Sequence, residues 1–412
     1  MATKTPLIAT FLQTARNFLL TLGCVYVVLL ALGTRPYFQR QLLYMNNLRL
    51  PLFARYEMPE KYDLAPFKTR DVRIHTADNE TLGAWFTFAD PFYVARKADL
   101  LSPSTSADES IRSALRAHPT ILFLHGNGGT RAVAPRVRHY QAFAARLRAN
   151  ILAPDYRGFG DSTGAPSEVG LVLDARASWD WLRSHGAPPE SILVVGNSLG
   201  TAVGVQLVSA LEAEALGGNE QYRKEGEPHE IPRGLVLLAP FSNVETLLDT
   251  YYVAGLVPLL APLRIFPYIG SFIKSFLVHR FDTLTRVVVG LKLPLLIVHA
   301  ENDWDIPHSH SQTLFDAFLE EHLPPLPDFT EVMAGASDEA AERIARLSQE
   351  WRALRQELVT TSDIARVGHV EVFSKDRSHG KVVFLRTLWG GHANLGLVEG
   401  VQDYMAEMFK MG

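Results

Sequence analysis

Apolar and polar positions divide the chain into three stretches of different character. Residues 18–33 read FLLTLGCVYVVLLALG without a charge, flanked by Arg16 and Arg35. A helix needs about 18–20 apolar residues to cross hydrocarbon. Asn17 and Thr34 extend the run and the arginines reach toward headgroups, so a span over about 18–34 is predicted. A cleaved signal peptide, with Ala31-Leu32-Gly33 as a small-x-small site, is the alternative, but both the lead-in and the apolar run are long for one. Residues 37–64 are basic and aromatic, as suits a stretch lying along a membrane surface. From Arg70 the pattern changes to short apolar strands alternating with amphipathic helices. Positions 72–74 and 85–88 predict an antiparallel hairpin. The runs 120–124, 150–153, 192–195, 234–238, 294–298 and 381–385 predict further strands, with helices over 169–185 and 201–216. Strands separated by helices imply a mostly parallel sheet covered on both faces. Chemistry in such sheets sits at the carboxyl ends of the strands.

Several segments depart from this rhythm. Residues 97–118 and 217–232 are polar insertions. A third, 320–367, holds one clear helix, on which Ala340, Ile344, Leu347, Trp351, Leu354 and Leu358 form a single apolar stripe. That stripe suits docking on the protein's own surface, or alternatively contact with a partner or membrane. Residues 251–278 are apolar, with only Arg264 and Lys274 charged, and Pro258, Pro262 and Pro267 argue against a second membrane helix. The chain thus divides into an anchor and juxtamembrane segment over 1–60 and one α/β domain over 61–412. The domain carries an apolar cap at 242–290 and a helical insertion at 320–367.

Composition narrows the partners. With 47% hydrophobic and 20% charged residues the chain is an ordinary folded protein rather than a disordered or fibrous one. Its 40 basic and 44 acidic residues carry no basic excess that would call for nucleic acid. The single cysteine, Cys24, lies inside the predicted span and excludes an internal disulfide framework or a cysteine-rich metal site.

The candidate chemistry lies in the loops. Gly196-Asn197-Ser198-Leu199-Gly200 stands between a predicted strand and a predicted helix, the context of a Gly-x-Ser-x-Gly nucleophile turn. Glycine is expected at both flanks because a side chain there would strike neighbouring backbone. A serine nucleophile needs an oxyanion hole, normally two backbone N–H groups. One is expected from Leu199, the other from Asn127 in His125-Gly126-Asn127-Gly128-Gly129, which follows an earlier strand. His125 is read as a histidine that holds this loop, because in this architecture the base comes last in chain order. The acid is expected after the strand at 294–298, in His299-Ala300-Glu301-Asn302-Asp303-Trp304-Asp305, where Asp303 is preferred over Glu301 and Asp305. The base is expected at His392, in Trp389-Gly390-Gly391-His392, between the last strand and the final helix. His379 and His369 each precede a strand and would fall at the wrong end. The order Ser198, Asp303, His392 is that of α/β-hydrolases. Such a triad requires no metal or organic cofactor.

A closer resemblance rests on His125-Gly-Asn-Gly-Gly-Thr-Arg131, Asp155-Tyr-Arg-Gly-Phe-Gly-Asp-Ser-Thr-Gly164, Pro166-Ser-Glu168, Gly196-Asn-Ser-Leu-Gly-Thr201, Ala239-Pro-Phe241 and His299-Ala-Glu-Asn-Asp303. These resemble the lysophosphatidylserine and monoacylglycerol lipases called abhydrolase domain-containing protein twelve, over roughly 68–310 and 380–410. The family usually has histidine where this chain has Asn197, a position outside the triad, and it lacks the long third insertion. The resemblance implies an integral endoplasmic-reticulum protein, single-pass, with a lumenal catalytic domain. The expected activity is hydrolysis of a lipid ester, a monoacylglycerol or lysophospholipid, through an acyl-serine intermediate. A serine peptidase on the same fold and a non-catalytic membrane scaffold are the alternatives. Protein partners are left open. On orientation the residues themselves are divided. Lys4 and Arg16 precede the span while Arg35, Arg40 and Arg49 follow it, a small excess against a lumenal domain. Asn79-Glu80-Thr81 is a glycosylation sequon usable only in the lumen.

Overall fold

A computed structural model describes residues 7–102, 106–217, 230–253, 257–258, 267–288, 291–324, 338–374 and 380–412. Its centre is a ten-stranded sheet. In chain order the strands are β1 (Thr69–His75), β2 (Thr81–Thr87), β3 (Thr120–Leu124), β4 (Asn150–Pro154), β5 (Ile192–Asn197), β6 (Gly234–Leu238), β7 (Leu295–Ala300), β8 (Val359–Ile364), β9 (Gly368–Phe373) and β10 (Val382–Thr387). Their order across the sheet is β1-β2-β4-β3-β5-β6-β7-β10-β9-β8. The strands from β4 through β10 run parallel, and antiparallel hairpins close both edges. This is the α/β-hydrolase arrangement expected from the sequence, with the eight expected strands in place.

The buried strands sort their side chains between two cores with period two. Leu122, Val194, Leu235, Leu237, Leu295, Ile297 and Phe384 face one side; Ile121, Phe123, Leu193, Val195, Val236, Leu296, Val298 and Val383 face the other. The first face packs under α3 (Asp90–Leu101), α4 (Ala107–Ala117), α6 (Glu168–Ser184), α7 (Leu199–Gly217), α10 (Thr283–Val288) and α11 (Ser309–Ala317). The second packs under α5 (Ala134–Arg146) and the last helix, α13 (Glu399–Phe409).

The third insertion contributes more than a helix. On α12 (Asp338–Leu358) Ile344 is buried and Leu347, Trp351, Leu354 and Leu358 are half-buried, while the positions between them are mostly exposed. Leu358 packs on the first core, so this part of the stripe faces the protein's own surface. Beyond α12 the chain forms β8, which pairs with β9 and extends the sheet. Four of the six residues of β8 are exposed, and an edge strand this polar carries little apolar signal. His369, expected to precede a strand, lies within β9.

The N-terminal helix α1 (Leu7–Gly33) starts earlier than the expected span. Its stretch Thr10–Gly33 has a mean hydropathy of 1.9 and is unburied; among the described residues it is the one helix long and apolar enough to cross a membrane. Only Thr34 and Arg35 separate it from α2 (Pro36–Tyr44). Two further short helices, α8 (Val244–Thr250) and α9 (Pro267–Lys274), lie in the cap region. Pro262 lies outside the described residues, as do most of 217–232 and part of 320–367.

One buried charge cluster ties the edge of the sheet to its centre. Arg131 is fully buried after β3. Its backbone N–H and Nη1 donate to Asp155, just past β4, at 2.6 and 2.7 Å. Nη1 also reaches Asp161 at 2.7 Å, and Nη2 reaches Asp71 on β1 at 2.8 Å. The ring of Tyr56 lies 4.0 Å from the guanidinium. Removing one partner of a buried ion pair leaves an uncompensated charge, so Arg131→Met is expected to lower the unfolding free energy by about 3–5 kcal/mol in chemical denaturation. A loss below about 1 kcal/mol would mean that the carboxylates are relieved by water or protons instead.

Candidate active site

Ser198 sits between β5 and α7 at φ 50°. The turn is crowded enough to dictate both glycines. A Cβ on Gly196 would lie 2.4 Å from the carbonyl oxygen of Gly200, and one on Gly200 would lie 2.0 Å from that of Leu124. The Ser198 N–H donates to Leu238 on β6 at 2.9 Å, and Thr201 Oγ1 donates to the Ser198 carbonyl at 2.6 Å. The turn is thereby anchored to the strand on one side and the helix on the other, with the hydroxyl left at its apex.

The structure brings the other two expected side chains to this hydroxyl. His392 Nε2 lies 3.0 Å from Ser198 Oγ, and its Nδ1 lies 2.8 Å from Asp303 Oδ2. A carboxylate accepts only, so Nδ1 carries the proton and Nε2 is free to accept from the serine. The Asp303 carboxylate is itself held firmly. Its Oδ1 accepts the N–H groups of Asp305 and Ile306 at 2.9 and 3.0 Å. His299 Nε2 approaches Oδ2 at 3.2 Å while also donating to the Ile306 carbonyl at 2.9 Å. The histidine loop is fixed to the acid loop by a bond from Gly391 N–H to Asn302 Oδ1 at 2.9 Å.

These contacts set the protonation balance. Burial would raise the Asp303 pKa, but the bonds from His299 and His392 outweigh it and hold the carboxyl well below its usual range. Burial pulls the His392 pKa down, but the bond to Asp303 and the charges of Asp303 and Asp305 outweigh that, leaving it above the usual histidine value. Asp305 supplies its N–H to Asp303 and a nearby negative charge. Asp303, Asp305 and His392 together offer ligand atoms within 4.8 Å of one another, the one such trio among the described residues that could hold a cation. Both oxygens of Asp303 are already engaged by N–H donors.

The loop after β3 lies against Ser198. The Cβ position of Gly126 is 3.2 Å from Ser198 Cβ. Asn127 and Ser198 border one cavity of about 150 Å³, with Phe123, Arg136, Asn197 and His392 among its walls. The backbone N–H groups of Asn127 and Leu199 have no carbonyl partner among the described residues, as suits groups expected to receive an oxyanion. His125 is buried, and its Nδ1 donates to the Gly126 carbonyl at 2.7 Å, as expected of a histidine that holds the loop. His369 binds Asp363 on the β8–β9 hairpin at 2.7 Å; His379 lies outside the described residues. The expected cap at 242–290 contributes no described residue to the cavity wall.

Two contributors escaped the sequence reading. His299 heads the acid loop, and its role depends on burial beside Asp303. Arg136 follows Pro135 in the first turn of α5, where a cation opposes the helix dipole. That misplacement was the available signal.

Comparison with known proteins follows the same lines. The chain is 28% identical over 311 residues to the lysophosphatidylserine lipase ABHD12 of Danio rerio, covering 73% of this chain and 72% of that one. It is 28% identical over 307 residues to the Xenopus tropicalis protein of the same name, with coverage of 73% and 71%. It is 29% identical over 283 residues to Protein ABHD12B of Homo sapiens. Among solved structures, an alpha-beta hydrolase from Vibrio vulnificus shares the fold with a TM-score of 0.51 at 16% identity, covering 91% of this chain and 94% of that one. Residues 121–382, which hold the serine turn and the acid loop, match the Alpha/beta hydrolase family, and the chain belongs to that family.

Proposed function

We propose that this protein is a membrane-anchored serine hydrolase that cleaves carboxylic esters of lipids, a monoacylglycerol or lysophospholipid, through an acyl-serine. The observation that carries the reading is the continuous chain Ser198–His392–Asp303, with bonds of 3.0 and 2.8 Å. His392 takes the serine proton as Oγ attacks the ester carbonyl. The N–H groups of Leu199 and Asn127 receive the oxyanion. The same imidazole then protonates the departing alcohol and activates the water that frees the acid. No step calls for a metal or organic cofactor.

The lipid part of the reading draws support from relatives named as lysophosphatidylserine lipases and from the apolar surface. Trp304, beside Asp303, and Trp389, just before the His392 glycines, are 77% and 67% exposed. On α9, Tyr268 and Phe272 are also exposed. Large apolar side chains exposed at site loops and on α9 suit a substrate taken from a bilayer. A lumenal domain held by α1 is the reading favoured by the resemblance and by the sequon at Asn79, which stands exposed in the β1–β2 turn at φ 66°.

Ser198→Ala is expected to abolish ester hydrolysis and fluorophosphonate labelling with little change in thermal transition. Asp303→Asn should lower turnover about four orders of magnitude at neutral pH, by analogy with loss of the orienting carboxylate in serine proteases. Asp305→Asn should cost far less. Turnover of the serine variant within tenfold of wild type would sink the assignment, and a reversed order of the two aspartates would make Asp305 the acid.

The pH profile follows from the same contacts. The base works only when neutral, so activity is present above the His392 pKa and is lost as pH falls through it. Because that pKa is raised, the acid limb of kcat/KM should have its midpoint above 6.5. Asp305→Asn removes a charge that favours the imidazolium and should move the limb to lower pH. An acid limb below pH 6, unmoved in that variant, would contradict the electrostatics described.

Topology is checked by protease treatment of sealed microsomes. A lumenal domain survives until detergent is added, and replacing Asn79 removes a glycan-dependent mobility shift. Digestion without detergent would place the enzyme on the cytosolic leaflet.

A further inference from the structure

The loop that presents Asn127 is rich in glycine, and Gly128 and Gly129 both sit at φ 60°. Such a chain has little stiffness of its own, yet an oxyanion donor helps only if it points at the reacting oxygen before the reaction begins. Restraint therefore has to come from outside the loop, and it comes from two sides.

On the inner side is Arg136. Unlike Arg131 and Arg157, which are paired with aspartates, it makes no ion pair among the described residues. The two hydrogens of its Nη2 are instead shared among three consecutive carbonyls, those of Gly126 at 2.9 Å, Asn127 at 3.1 Å and Gly128 at 2.6 Å. Its Nη1 is buried with no hydrogen-bond partner among the described residues. A cation desolvated beside a helix N-terminus is costly, and these carbonyls are what offsets the cost. The Gly126 bond matters most for chemistry. In a trans peptide the C=O and the following N–H point in opposite directions within one plane. Holding the Gly126 carbonyl toward Arg136 therefore fixes the direction of the Asn127 N–H.

On the outer side is the juxtamembrane strap that follows α2. Gly128 N–H donates to the Tyr44 carbonyl at 2.9 Å, Gly129 N–H to Leu48 at 3.0 Å and Thr130 N–H to Leu50 at 3.0 Å. Thr130 Oγ1 adds a second bond to Leu50 at 2.9 Å. Upstream, the Gln39 side chain on α2 bonds Phe276 and Val278 beyond α9. The loop thus gives its carbonyls to Arg136, sharing that of Gly126 with His125 Nδ1, and the N–H groups of Gly128, Gly129 and Thr130 to the strap.

We propose that Arg136 is a positioning residue for hydrolysis: it clamps the Gly126–Asn127 peptide against the strap at residues 44–50 so that the Asn127 N–H is aimed at the oxyanion. This rests on the reading of Ser198 as nucleophile, which the serine variant tests separately. Arg136 borders the same cavity as Ser198 and His392, but the hydrogen bonds described for it go to the loop carbonyls, through which it acts.

The test uses the full-length protein in detergent micelles with a soluble p-nitrophenyl ester. Arg136→Met keeps the stem and removes every donor. It is expected to lower kcat about 100-fold, the size found when an oxyanion donor is lost, with KM changed less than about threefold. A trifluoromethyl ketone of the same acyl chain, which forms a tetrahedral adduct on the serine, should lose affinity by a similar factor. The unreactive alkane analogue should bind as before. Guanidinium ion at millimolar concentration should restore part of the kcat of this variant and none of that of Asp303→Asn. Arg136→Lys should fall between. If Arg136→Met does not fold, Thr130→Val, which removes the hydroxyl's bond to Leu50 in the strap and the weaker one it accepts from the Ala132 N–H, is expected to reduce kcat several-fold at constant KM. The proposal is overturned if Arg136→Met keeps kcat within threefold of wild type. It is also overturned if ketone and alkane lose affinity equally, or, where that variant does not fold, if Thr130→Val leaves kcat unchanged.

Discussion

A serine held in the left-handed backbone region between a strand and a helix is the constraint on which the rest of this site depends. Holding a non-glycine residue there costs about 1–3 kcal/mol unless the surroundings impose it. Here they do so through backbone packing: the Cβ positions of Gly196 and Gly200 are filled by the helix's own first turn and by the end of β3. That close approach sets β3, β5 and α7 at one distance and no other. It places the Ser198 hydroxyl, a helix N-terminal N–H at Leu199 with no carbonyl partner among the described residues and the positive end of the α7 dipole within one turn.

Everything else arrives on loops at the carboxyl ends of other parallel strands, and each loop is held by polar bonds. The acid loop folds its N–H groups onto Asp303 and receives His299 from the end of β7. The histidine loop is tied back to Asn302. The loop after β3 is held by His125 and Arg136 through its carbonyls and by the strap through its N–H groups. In a medium of low polarity an unpartnered polar group is costly and a partnered one is rigid. The same bonds that satisfy these loops therefore give the site its geometry.

The region between α1 and the domain joins two roles. Tyr44 is fully buried against His279 and Phe281, and its carbonyl accepts the Gly128 N–H in the loop beside Ser198. A few residues away on α2, Tyr37, Phe38 and Leu42 are exposed, as are Tyr268 and Phe272 on α9. Gln39 links α2 to the segment that follows α9. Exposed apolar side chains thus lie on both short helices, α2 and α9, and Gln39 ties the first to the segment after the second.

Much of this was legible in the sequence. Strands with nearly every residue apolar, such as 120–124 and 234–238, can only be central strands buried on both faces, and their spacing by helices dictates a parallel sheet. Gly196 to Gly200 is local chemistry: the glycines, the serine and the strand-to-helix switch lie within five residues. Chain order then directed attention to Asp303 and His392. What the sequence could not decide depends on neighbours far along the chain. The loop pattern favours Asp303 over Asp305, but the bonds that hold its carboxylate, from His299, His392 and the N–H groups of Asp305 and Ile306, are visible only in the fold. The edge strand β8 is mostly solvent-facing, so it lacks the apolar signature by which strands are read. Arg136 appears in the sequence as one arginine among many. Its meaning comes only from the three carbonyls that folding places around it, because a hydrogen bond between backbone and a distant side chain leaves no periodic trace in composition.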